Sequence, residues 1–179
     1  TPTLSTDIGY VSATAGFYHS VALKVDGTFQ TWGDNSNGQL GIGSTSTYTT
    51  KYNGGSVFKS IVAGYNQSFG LTPDGSLWAW GFNGNGLLGD GTSINRPSRV
   101  LVGTGFLAIA TNVSNTLALK SDGSVWAWGP NSFGQVGDGT TIVRTTPVQI
   151  GSGYVAIAAG AAQDQAGPGP LREPPAGRS

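Results

Sequence analysis

The sequence predicts an all-β protein, a partial β-propeller of three four-stranded antiparallel blades with the start of a fourth. Three observations predict it. Asp-Gly recurs at Asp26-Gly27, Asp74-Gly75 and Asp122-Gly123, and Trp-Gly at Trp32-Gly33, Trp80-Gly81 and Trp128-Gly129, each 48 residues after the last. The following glycines keep the same step, at Gly38, Gly86 and Gly134 and again at Gly41, Gly89 and Gly137. No stretch shows an apolar period of 3.6 with caps, whereas short extended segments recur within every period. A fixed period of this size means repeats that bury their apolar faces only against their neighbours, and four short strands per period is the spacing of propeller blades.

The second repeat shows how each element is written. FKSIVAG, from Phe58 to Gly64, opens with apolar Phe58, Ile61 and Ala63 and reads as a first strand. SFGL, Ser68 to Leu71, reads as a second. TPDG then supplies a hairpin turn, because Asp-Gly accepts the positive φ angles that tight hairpins need. SLWAW, Ser76 to Trp80, is the third strand: Ser76, Trp78 and Trp80 face one way, Leu77 and Ala79 the other. The stretch FNGNGLLGDGT is too glycine-rich for a helix. Arg96 to Val102 contains Pro97 and suits an edge strand. The first repeat follows the same plan, with Gln30 where the others have Trp78 and Trp126.

The blades are expected at residues 10–57, 58–105 and 106–153. Residues 1–9 align with 145–153 and read as the end of a preceding repeat, and residues 154–165 open a fourth. Residues 166–179 have a Pro/Gly/Arg composition unlike the rest and read as a disordered, foreign tail. The chain holds no methionine, so it reads as a processed product or an excised fragment.

Composition narrows the function classes. Charged residues are 10% and the formal net charge is zero, which argues against nucleic acid and against a polybasic membrane patch. Cysteine is absent, excluding disulfides and thiolate metal sites. No cofactor is expected.

AGFYHSVALKVDGTFQTWGDNSNGQLGIG and its two sister copies resemble repeats of the regulator of chromosome condensation family, over about residues 10–165. That resemblance implies a seven-bladed propeller. It implies roles ranging from nucleotide exchange on a small GTPase to secreted bacterial inhibitors of β-lactamases. The WAWG strands and Ser/Thr/Gly-rich loops are similar to bacterial members, which points to an extracellular or cell-surface setting.

Candidate chemistry is sparse. His19, the only histidine, holds the position filled by Gln67, Asn115 and Gln163, and reads as a structural polar contact. Asp34-Asn35-Ser36-Asn37-Gly38 resembles the start of a calcium loop, but the bidentate glutamate is missing, so no metal is expected. Asp90 and Asp138 are explained by Asx turns. No lysine follows the GQLGIG and GLLGDG glycines as a phosphate loop would require. Trp32, Trp80 and Trp128 read as the structural core of the repeat, with Trp78 and Trp126 buried on the same strand face.

The turns after strands one and three open on one rim, which carries the non-repeating aromatics Phe17, Tyr18, Tyr65, Phe82 and Phe133. These are either exposed binding anchors or rings folded inward to cap the blades. The leading reading is a non-enzymatic protein-interaction scaffold that binds an unidentified protein through this rim. The alternative is a carbohydrate-binding propeller module. Unpaired outer blade faces predict a homo-oligomer.

Overall fold

The computed structural model describes residues 9–159. Blade 1 consists of β1 (Tyr10–Ala15), β2 (His19–Lys24), β3 (Phe29–Gly33) and β4 (Tyr48–Gly54). Blade 2 consists of β5 (Ser60–Ala63), β6 (Gln67–Leu71), β7 (Leu77–Gly81) and β8 (Arg96–Gly103). Blade 3 consists of β9 (Phe106–Thr111), β10 (Thr116–Lys120), β11 (Val125–Gly129) and β12 (Arg144–Gly151). Every sheet is an antiparallel meander in chain order. The first strands β1, β5 and β9 touch one another in sequence, and β4, β8 and β12 form the opposite edges. Pro97 lies on such an edge, where its missing N–H costs no ladder bond.

The Asp-Gly turns do what their chemistry predicts. The Oδ1 atoms of Asp26, Asp74 and Asp122 accept the backbone N–H two residues on, from Thr28, Ser76 and Ser124, at 2.9, 3.1 and 2.9 Å. The turns hold each β2–β3-type hairpin in register, pairing Leu23 with Phe29, Leu71 with Leu77 and Leu119 with Val125. They also link the blades. The carbonyls of Gly27, Gly75 and Gly123 accept the N–H groups of Phe58, Phe106 and Tyr154 at 2.8, 3.0 and 3.0 Å. The bond to Tyr154 continues the pattern into residues 154–159. The expectations for 1–8 and 160–179, including the foreign tail at 166–179, lie outside the described residues.

The core lies between blades, as strand alternation requires. In the first seam Val21, Leu23 and Phe29 of blade 1 meet Phe58, Ile61 and Trp80 of blade 2. In the second, Phe69, Leu71, Leu77, Ala79 and Leu88 of blade 2 meet Phe106, Ala118 and Trp128 of blade 3. Thus Trp80 and Ala79, adjacent in sequence, serve different seams. Each fully buried large side chain contributes about 1.5–3 kcal/mol.

A tryptophan seat closes each seam. Trp80 Nε1 donates to Gln39 O at 2.9 Å, and Trp128 Nε1 donates to Leu87 O at 2.9 Å. The seat is glycine-walled by necessity: a Cβ on Gly41 would stand 2.8 Å from the Trp80 ring, and one on Gly89 2.6 Å from the Trp128 ring. Trp32 corrects the expectation of a common core role. Trp80 and Trp128 are fully buried, but Trp32 is only partly covered, because no earlier blade among the described residues offers it a seat. Trp78 and Trp126 are likewise partly, not fully, buried. Gln30, in their place, is buried, accepting from the Tyr10 hydroxyl and donating to Asn53 Oδ1 at 2.8 Å. The glycine-rich loop of blade 2 contains a single 3₁₀ turn at Gly84–Gly86, with Asn85 at φ 55°.

Candidate functional site at the propeller rim

The β1–β2, β5–β6 and β9–β10 turns gather on one rim because β1, β5 and β9 are neighbours. Phe17 N donates to Tyr65 O at 2.9 Å, joining the first two turns directly. The Phe17 and Tyr65 rings stack with centroids 4.3 Å apart and planes 20° apart, and Tyr18 tilts against Phe17 at 4.2 Å. Exposure is 51% for Phe17, 67% for Tyr18 and 38% for Tyr65, so the trio faces solvent. Beside it lies a cleft of about 380 Å³ lined by Ala15–Phe17, Ala63–Tyr65, Thr111–Val113 and Ala159.

Phe82 joins the same rim through its backbone, whose N–H donates to Asn66 O at 2.8 Å. Its ring lies over Gly84, with no ring contact to the trio. Phe133 is 82% exposed in the β11–β12 loop, its N–H donating to Gln135 Oε1 at 2.8 Å. The five candidate residues therefore divide into a cluster of three and two separate rings.

Beneath the rim the turns are anchored by polar side chains at one repeat position, buried for His19 and Gln67 and partly buried for Asn115. His19 Nε2 lies 2.8 Å from Ser68 Oγ, which itself donates to Gln39 O at 3.0 Å. Since the serine proton is committed to Gln39, His19 Nε2 carries the hydrogen and the ring is neutral. Its Nδ1 is buried without a partner among the described residues, and burial lowers its pKa to about 4 against an opposing pull from Asp34. Gln67 spans to blade 3, donating to Asn112 O at 2.7 Å. Asn115 donates to Gln135 O at 2.9 Å. At this position His19 and Gln67 tie one blade to the next, and Asn115 ties its turn to the long loop of its own blade.

Sequence reasoning missed a second polar frame in the β3–β4, β7–β8 and β11–β12 loops. Asn83 Nδ2 donates to Asp90 Oδ1, Thr92 O and Ile94 O at 2.9, 3.1 and 3.1 Å, while its Oδ1 accepts Leu88 N–H at 2.9 Å. Asn131 does the same with Asp138, Thr140, Ile142 and Val136. Asn35 holds Ser44 O, Ser46 O and Leu40 N–H. The signal was available, since these asparagines keep the 48-residue step. Asp90 and Asp138 form Asx turns as expected, accepting Thr92 N–H and Thr140 N–H at 3.0 Å each. They also pair with Arg96 and Arg144 at 2.6 and 2.5 Å. Burial opposes the Asp90 charge, but hydrogen bonds from Thr92 and Arg96 prevail and lower its pKa. Asp34 is occupied by Ser36 and Gln39. Among the described residues no group of three or more His, Asp or Glu converges.

Comparison with known proteins accords with this architecture. The family model described as Regulator of chromosome condensation (RCC1) repeat matches residues 10–39, 58–87 and 106–135. A second model of the same description matches 74–119 and 122–163. Human WBSCR16 superposes with a TM-score of 0.75 at 22% identity, covering 84% of this chain and 42% of its own. Yeast RCC1 (Prp20), solved with Kap60, superposes at 0.70 with 23% identity, covering 89% and 41%. A second structure of Prp20p from Saccharomyces cerevisiae gives 0.69 at 25% identity, covering 89% and 43%. This chain therefore spans less than half the length of these propellers. A search of the curated proteins finds no match.

Proposed function

The chain belongs to the regulator of chromosome condensation repeat family, and from that premise we propose that it is a non-enzymatic scaffold that binds a protein partner through its rim loops. The observation that carries the reading is the stacked, solvent-facing trio of Phe17, Tyr18 and Tyr65 beside a cleft. Rigid aromatic rings on loops held by a β scaffold are efficient interface anchors, since they bury large area at little entropic cost. The related yeast propeller is solved bound to Kap60 and described with binding properties to Gsp1p and histones. Those are partners of that protein; what transfers to this chain is the class of partner.

The test is affinity capture followed by quantitative proteomics, comparing the natural chain with a Phe17→Ser, Tyr65→Ser variant. A protein retained by the first and lost by the second, at equal melting temperature, supports the reading. Loss of no captured protein, with binding on a glycan array, selects the carbohydrate alternative.

We further propose that the chain self-associates head to tail. Trp32 has no seat among the described residues, and the blade 3 loop around Gly137 is a seat that no tryptophan among them fills. Seating the Trp32 of one copy against the Gly137 loop of the next repeats the contact already made twice within the chain. Light scattering should then report a dimer or larger species, reduced to monomer by Trp32→Ser.

A further inference from the structure

The two seams differ at one place. In the second, Lys120 Nζ lies 4.3 Å from the Trp126 ring centroid and 4.9 Å from that of Phe106, covering both. The corresponding residue of blade 2 is Thr72, whose short side chain turns back to Asp74 and to Ser76 O. Trp78 and Phe58, the counterparts of Trp126 and Phe106, are left facing a cleft of about 600 Å³. Gly55 leaves it open, since a Cβ there would meet nothing within 4 Å, whereas the space beside Gly54 is filled by the Phe29 ring.

This cleft contains a half-buried cation. The Arg99 guanidinium lies 5.6 Å from the Phe29 ring centroid and lines the cleft with Tyr52 and Trp78. Arg96 and Arg144 each have an aspartate, whereas among the described residues Arg99 makes no hydrogen bond or ion pair. Burial lowers its pKa, the mark of a charge held away from water. The Trp78 indole N–H also has no acceptor among the described residues, while Trp126 Nε1 donates to Ser124 Oγ at 2.9 Å. A guanidinium and an uncovered indole on adjacent strands of the same blade 2 face suit a ligand that brings an anionic fork and a flat face together.

We propose that this cleft binds a small organic carboxylate carried on a ring, with the carboxylate on Arg99 and the ring on Trp78, in the space that the Lys120 stem fills in the next seam. The site is independent of the rim and of any protein partner bound there. A volume of several hundred Å³ suits a single ring with its substituents.

The test is titration of the intact chain with glucuronate, benzoate and glucose, read by tryptophan fluorescence and by saturation-transfer NMR. At least one carboxylate should bind, with glucose about tenfold weaker or worse, and Arg99→Gln should weaken the carboxylate about tenfold. Glucuronate or benzoate as the tighter ligand tells a sugar acid from an aromatic acid. Thr72→Lys restores the residue type of the sister repeats, so it retains the fold while covering Trp78, and it should abolish binding. Absence of binding by both acids, or equal affinity in Arg99→Gln or Thr72→Lys, overturns the proposal.

Discussion

Blades 1 and 2 follow one strand pattern, yet only blade 2 has a described neighbour on both faces. Trp80 is sealed and bonded to Gln39, while Trp32, at the same repeat position, lies partly open with Lys51 Nζ 5.9 Å from its ring. The difference teaches that the burial of a repeat's signature residue belongs to the neighbour as much as to the repeat. A second difference runs alongside. Blade 2 clamps its long loop with Asp90 and Arg96, while blade 1 has Ile42 and Tyr48 at those positions, so both halves of the clamp are exchanged together. The asparagine frame survives in both, which marks Asn35 and Asn83 as the part of the loop that the fold needs.

The largest expected effect tests the burial contrast. At a dilution where the chain is monomeric, Trp80→Ala should cost about 3–5 kcal/mol in urea unfolding, and Trp32→Ala less than about 1.5, since only the first opens a cavity in a sealed seam. The gap should narrow as rising concentration seats Trp32 against another copy; equal losses in the monomer would overturn the contrast.

The next effect concerns His19, which the first seam keeps neutral. With a folded pKa of about 4 against an ordinary 6.5, the unfolded chain binds more protons between those values. Stability should therefore be intact above pH 6.5 and fall as the pH drops towards 4, by up to about 3 kcal/mol. His19→Gln, matching Gln67, should flatten this window in denaturation curves taken at successive pH values.

Asn83→Ala should cost about 1–3 kcal/mol by leaving Leu88 N–H and the loop carbonyls unpaired. Hydrogen exchange at Leu88 should accelerate, and its sister amide at Leu40 should not. The smallest effect is that of Thr72→Lys, expected to stabilise by about 0.5–1 kcal/mol through a cation over Trp78. A destabilised melting curve would show that Thr72 is needed for its turn.

The fold was legible because turn chemistry and packing were written at one period. Asp-Gly fixed the hairpins and Trp-Gly the third strands, so architecture followed without tertiary information. The rim was legible in part. Turn positions placed Phe17, Tyr18 and Tyr65 together, but Phe82 and Phe133 diverge because ring direction depends on the local loop path. Trp32 was read by analogy with its sisters, and no sequence pattern reports whether a neighbour is present. Arg99 carried no signal, because an arginine on an edge strand looks like ordinary surface until the short Thr72 and the open Gly55 show what surrounds it.

The tryptophan seat also has a consequence for the order in which the chain folds. Gln39 O receives its indole donor from Trp80, and Leu87 O from Trp128, each 41 residues further along. During synthesis a blade's long loop therefore emerges before the residue that locks it, and stays uncompleted until the third strand of the next blade has left the ribosome. At about 5–20 residues per second that interval lasts seconds, far longer than a hairpin takes to form. Each hairpin can be ready in advance while each seam closes late, so assembly proceeds from the N-terminus in steps one repeat long.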